Sequence, residues 1–91
     1  MLKLRYHSEF KKSLKLMQKQ GKNMSLLKDI LTLLVEGRSL PPKNKDHALK
    51  NSRLYHEVRE CHIEPDWLLV YRVNGDTLEL IATGSHSNLF S

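Results

Sequence analysis

Apolar residues recur along this chain in distinct rhythms. Phe10, Leu14 and Met17 return at helical spacing, with Lys11, Lys12, Lys15 and Lys19 mostly elsewhere around the same cylinder. Leu27, Ile30, Leu31 and Leu34 repeat at i, i+3, i+4 and i+7, the clearest helical period in the chain. Ser8 is the expected N-cap of the first helix and Gly21 its stop. Asn23 or Ser25 opens the second helix and Gly37 closes it. A turn this short predicts an antiparallel pair of helices. Before them, Leu2 to Tyr6 alternates apolar and basic residues, the pattern of a short strand.

Beyond Gly37 the rhythm changes. Leu40-Pro41-Pro42 reads as an extended connection, because proline removes a donor and restricts the residue before it. Asp46 to Leu49 suits a short strand or loop. Leu54 to Ile63 reads as a strand with imperfectly sorted faces, which points to a bulge: Leu54, His56, Val58, Glu60 and His62 share one side, Tyr55, Glu57, Arg59, Cys61 and Ile63 the other. Trp67 to Tyr71 is apolar on both faces, as a central strand is. Asn74-Gly75 signals a tight hairpin into Thr77–Ala82, with Leu78, Leu80 and Ala82 on one face. Residues 84–90 form a loop or one helical turn. The order β-α-α-β-β-β describes one α+β domain over residues 1–91, a helix hairpin on one face of a mainly antiparallel sheet and the other face open.

Composition narrows the class. In 91 residues there is room for one domain. No apolar run approaches the ~20 residues that span a bilayer, and the first residues lack the apolar core of a signal peptide. A lone cysteine, Cys61, excludes an internal disulfide framework and fits a reducing cytoplasm. The net charge of +5 is uneven. Residues 1–22 hold seven basic groups against Glu9, a net of +6, and the other residues hold eight basic and nine acidic, a net of −1. An anionic partner is therefore expected at the N-terminal quarter.

The chemistry-bearing residues lie elsewhere. His47 sits in Lys45-Asp46-His47-Ala48-Leu49, His62 and Asp66 flank a turn in Cys61-His62-Ile63-Glu64-Pro65-Asp66-Trp67, and His86 follows Thr83-Gly84-Ser85. Each stands at a strand end or in a loop, where a rigid scaffold displays functional groups. Histidine exchanges protons near neutral pH, and a nearby carboxylate orients it. There is no H-x-x-x-H or C-x-x-C spacing for a metal, and no nucleotide-binding or hydrolase motif. Cys61 and His62 are adjacent in a strand and point to opposite faces, so a buried structural thiol is the better reading than a nucleophile. Trp67 suits either the core or a wall for a base, and Phe90 suits a sheet edge or a stacking platform.

Those segments, with Arg59-Glu60-Cys61-His62-Ile63-Glu64-Pro65-Asp66-Trp67-Leu68-Leu69-Val70-Tyr71 and Gly84-Ser85-His86-Ser87-Asn88-Leu89-Phe90, resemble the YafQ-type toxins of the RelE/ParE superfamily. The resemblance runs through residues 45–90 in order, and the first strand and helix pair agree in length. It implies a RelE-like fold and a bacterial, cytoplasmic toxin of a toxin–antitoxin pair. It further implies a metal-independent endoribonuclease with no cofactor, cutting messenger RNA in the ribosomal A site. Carried over by motif, His47, His62, Asp66 and His86 are the catalytic set, and Phe90, Trp67 and Glu60 attend the substrate. Glu60 stands where relatives carry an acidic residue, often aspartate. The partner implied is a DinJ-like antitoxin in a heterotetramer of two toxins and two antitoxins. Lys11, Lys12, Lys15 and Lys19 then become expected contacts to ribosomal RNA. The alternative is a ParE-like poison that acts by binding gyrase and has no need of the histidine set.

Overall fold

The computed structural model describes residues 1–49 and 57–90. A five-stranded sheet in the order β1-β5-β4-β3-β2 is built from β1 (Lys3–Tyr6), β2 (His47–Ala48), β3 (Arg59–Glu64), β4 (Trp67–Asn74) and β5 (Thr77–Gly84). Only β1 with β5 is parallel; the other neighbours are antiparallel. Helices α1 (Ser8–Lys19) and α2 (Met24–Val35) supply Phe10, Met17, Leu27, Ile30 and Leu34 to a core shared with Cys61, Ile63, Leu69, Tyr71, Leu78 and Leu80 of the sheet. The apolar stripes expected of both helices are the faces that bury, with Leu14 and Leu31 half-covered at their margins. Among the described residues, no helix is long and apolar enough to cross a membrane.

Several local expectations shift. The first helix is capped one residue early, at His7, whose ring turns instead to Glu79. Asn23 does cap α2, accepting from the Ser25 N–H. Pro42–Asn44 is a single 3₁₀ turn rather than an extended connection; Pro42 opens it, where its missing N–H costs nothing. The strand expected from Leu54 begins at Arg59, and Leu54, Tyr55 and His56 lie outside the described residues. The hairpin loop is Gly75-Asp76, one residue later than expected, with Gly75 at φ +62° in its first position, the place glycine takes in a II′ turn.

Two bulges decide which side chains meet. One lies between His62 and Glu64 at the end of β3, as the mixed faces of that segment suggested. The other inserts Ile81 between Leu80, which pairs with Tyr71, and Ala82, which pairs with Val70. It reverses the alternation of β5. Leu78 and Leu80 face the helices, whereas Ala82, expected beside them, joins Ile81, Val58 and Val70 on the opposite face. That opposite face is not bare. Leu49 and Leu89 pack on this second cluster, leaving the polar groups to one end.

At the β1 side of the sheet, Glu79 is buried at 2% exposure. It accepts from Arg72 Nε and Nη2 at 3.1 Å each and from His7 Nε2 at 2.8 Å. Arg72, and then His7, hold its carboxyl down to about 2 from an ordinary 4.5. The unfolded chain takes up this proton first, so the stabilisation is complete above pH 4.5 and lost as pH falls towards 2. Urea midpoints measured across that window should decline more steeply for the wild type than for Glu79→Gln, and Glu79→Gln should be the less stable protein at neutral pH. Parallel pH profiles would remove Glu79 as the source.

Candidate active site

The short strand β2 lies beside β3 with His47 opposite Glu60. Two residues further along β3, on the same face, is His62. The tight turn after β3 carries Pro65 and Asp66, and α3 (His86–Phe90) starts just past the end of β5. These elements bring one end of the sheet's second face to a point. Glu60 Oε1 lies 3.8 Å from His47 Nε2 and 3.6 Å from His62 Nε2. The His62 and His86 rings are 5.8 Å apart between centroids, and His86 and Phe90, one helical turn apart, are at 6.1 Å. Asp66 Oδ1 accepts from the His86 backbone N–H at 3.3 Å and lies 3.5 Å from its Nδ1.

Two ring orientations are set by carbonyl oxygens. His47 Nδ1 donates to Lys45 O at 2.7 Å and His62 Nδ1 to Pro65 O at 3.1 Å. A carbonyl only accepts, so each Nδ1 carries a hydrogen and each Nε2 is left as the atom that gains or loses a proton. Both Nε2 atoms turn towards the buried carboxylate of Glu60, which can accept from either ring when it is protonated. His47, His86 and Asp66 stay open to solvent, and Phe90 is half-exposed.

The structure thus gathers His47, His62, Asp66, His86, Glu60 and Phe90, drawn from three distant segments. Trp67 does not join them. It is wholly buried on the helix side, with Nε1 donating to Thr83 Oγ1 at 2.8 Å, so the expectation that it contacts substrate is corrected: no face of the indole is available to a base. Glu60, expected to attend the substrate, is buried and lies beneath two histidines. Cys61 is fully buried, and burial, then the charges of Asp46 and Glu60, push its thiol up to about 12, as suits an inert core residue. Lys11, Lys12, Lys15 and Lys19 are all exposed on α1, which packs on the face away from Glu60 and His62.

Sequence reasoning passed over several supports. Asn44 is buried and donates from Nδ2 to His62 O at 2.7 Å, tying the 3₁₀ turn to β3. Ser85 and Asn88 cap α3 reciprocally: Ser85 Oγ accepts from Asn88 N, and Asn88 Oδ1 from Ser85 N, each at 3.1 Å. Their S-x-x-N spacing was the available signal. One ligand atom each from Glu60, His62 and His86 lie within 4.8 Å of one another, a grouping that could hold a metal ion and that no sequence spacing announces.

Residues 2–91 match the family described as the bacterial toxin of a type II toxin–antitoxin system, YafQ. The chain belongs to the YafQ toxin family. Among curated relatives, the mRNA interferase toxin YafQ of Escherichia coli (strain B / BL21-DE3) is 40% identical over 88 residues, 96% of this chain and 94% of that protein. Among solved structures, the E. coli DinJ–YafQ complex matches over 100% of both chains with a TM-score of 0.90 at 38% identity. A metal-bound toxin from Helicobacter pylori matches over 99% of this chain and 100% of that one, with a TM-score of 0.91 at 41% identity. The RelE-like α+β fold expected from the resemblance is borne out by these YafQ structures.

In this YafQ-family chain, α3 depends on a close approach. Gly84 has φ +156°, and a Cβ there would meet Asn88 Cβ at 3.0 Å. Gly84→Ala should therefore cost about 1–3 kcal/mol and shift His86 and Phe90 together. Thermal unfolding and growth arrest should both register the change; full toxicity at wild-type stability would show that α3 tolerates displacement.

Proposed function

We propose that this YafQ-family toxin is an mRNA endonuclease that works in the ribosomal A site. The observation that carries the reading is the convergence of three histidines and two carboxylates on one surface beside an exposed aromatic ring. RNA brings its own nucleophile. The 2′-oxygen attacks the adjacent phosphorus, its proton passing to one histidine, and the P–O5′ bond breaks as another histidine protonates the leaving oxygen. The products are a 2′,3′-cyclic phosphate and a 5′-hydroxyl, with no net proton consumed. His86 is the principal proton carrier in this reading, with Asp66 orienting it, and Glu60 balances charge as His47 and His62 cycle. Phe90 stacks on a base next to the cut. General acid–base catalysis supplies ~10²–10⁴-fold, and alignment of the RNA by the ribosome supplies much of the rest.

The decisive experiment adds purified protein to translating ribosomes and maps the RNA ends. Cuts in register with codons are expected, persisting in EDTA, absent with His86→Ala and absent where the cut position carries a 2′-deoxy sugar. Normal cleavage of the deoxy substrate would exclude 2′-hydroxyl attack. Growth arrest by His86→Ala with messages intact would favour a non-catalytic, gyrase-directed poison. Equal cutting of naked RNA would remove the ribosome. The H. pylori relative is a metal-bound toxin. In this chain a metal at Glu60, His62 and His86 would occupy the nitrogen lone pairs that the reaction uses, so such binding is inhibitory in this reading.

The same reading places the protein in the bacterial cytoplasm, where ribosomes are. It pairs the toxin with a DinJ-like antitoxin, as the likeness to the E. coli DinJ–YafQ complex supports, and takes two of each to form the complex. The exposed lysines of α1 contact ribosomal RNA. Replacing Lys11, Lys12, Lys15 and Lys19 by glutamine should weaken ribosome binding and flatten its dependence on salt; co-sedimentation across a salt series measures both. Unchanged binding would return those lysines to an ordinary solvated face.

A further inference from the structure

We infer that Asp46, clamped by Arg59 and Tyr71, is a positioning residue that sets His47 over Glu60. The inference rests on the nuclease reading above and adds to it a set of residues that do not touch RNA.

Asp46 immediately precedes His47. Its carboxylate receives Arg59 Nε on Oδ1 and Arg59 Nη2 on Oδ2, each at 3.3 Å, a two-point grip from β3. The Tyr71 hydroxyl, from the buried centre of β4, donates to the same Oδ1. The clamp therefore reaches across two strands to a carboxylate at the sheet's edge. The next side chain turns the other way, to Glu60. The ladder alone is weak here, since β2 has two residues and pairs through only His47–Glu60 and Ala48–Arg59. The approach to it is also strained: Lys45 holds φ +46°, and its carbonyl is the acceptor that orients the His47 ring. With so short a strand after a left-handed residue, the carboxylate between Lys45 and His47 is what pins the backbone at the catalytic edge.

The clamp is static over the working range of pH. Burial first, then Asp46, push the Tyr71 hydroxyl upward, so it remains a donor. Hydrogen bonds to Tyr71, then Asp46, push the Arg59 guanidinium upward, so it remains charged. These groups hold a position and carry no proton in the reaction.

The test uses Asp46→Asn and Tyr71→Phe, the first at the partly exposed edge and the second shape-preserving in the core. With ribosomes, kcat should fall about tenfold to a hundredfold while KM stays within about twofold. In a His47→Ala background the same substitutions should cost nothing further, because their effect passes through His47. In the free protein, the ring resonances of His47 should move while those of His62 and His86 stay in place. An equal loss of kcat in the His47→Ala background, or unmoved His47 resonances in a folded Asp46→Asn protein, would overturn the inference. A wild-type protein that leaves RNA intact on ribosomes would instead defeat the nuclease reading, and the His47 resonances would still decide whether Asp46 places that ring.

Discussion

One buried carboxylate organises this molecule's working end. Glu60 has 4% of its surface exposed, and its Oε1 faces the Nε2 atoms of both His47 and His62. An unpartnered charge in that position would cost several kcal/mol, so the surrounding structure answers to it. His47 comes from a two-residue strand in register with Glu60 itself, and His62 lies two residues along the same strand. Carbonyl oxygens of Lys45 and Pro65 fix the two rings so that their free nitrogens turn inward. The carboxylate thereby sets two imidazole rings side by side, and the turn holding Pro65 also presents Asp66 to His86.

The sheet divides its labour by face. Helices α1 and α2 bury one side in a continuous apolar core, which gives the strands their rigidity. The other side is sealed at its middle by a small cluster under Leu49 and Leu89, and Leu89 belongs to the same short helix as His86 and Phe90. Packing of α3 and placement of His86 and Phe90 are therefore one event. Lys11, Lys12, Lys15 and Lys19 are exposed on α1, across the sheet from Glu60 and His62, so the chain's concentrated positive charge and its histidine cluster occupy separate surfaces.

Much of this is legible because it is periodic. The stripes Phe10-Leu14-Met17 and Leu27-Ile30-Leu31-Leu34 announce both helices and their buried faces, and the unbroken apolar run from Trp67 announces the central strand. The motif histidines and Asp66 are visible by kind and by resemblance. Simple alternation puts Ala82 on the wrong face, because one extra residue, Ile81, resets a two-residue period without leaving a mark in composition. Residue type leaves Trp67 open between core and base wall and the resemblance places it beside the substrate, whereas the structure sends its indole to the helix side of the sheet. Asp46, Arg59 and Tyr71 give no signal, since an acid, a base and a phenol spread over twenty-six residues form a group only when β2, β3 and β4 align.

By itself the sequence determined the α+β class, the two amphipathic helices, the basic N-terminal quarter and the candidate proton carriers, because local periodicity, charge and residue chemistry are properties of neighbouring positions. Only the tertiary structure decided that Glu60 would be shared by two histidines, that Trp67 would be sealed away, and that His62, His86 and Phe90 would form a row. Those outcomes depend on strand register, on two bulges and on a glycine close enough to Asn88 to admit α3. Each is a long-range contact whose energy is settled by packing between segments, and no single stretch of the chain contains it.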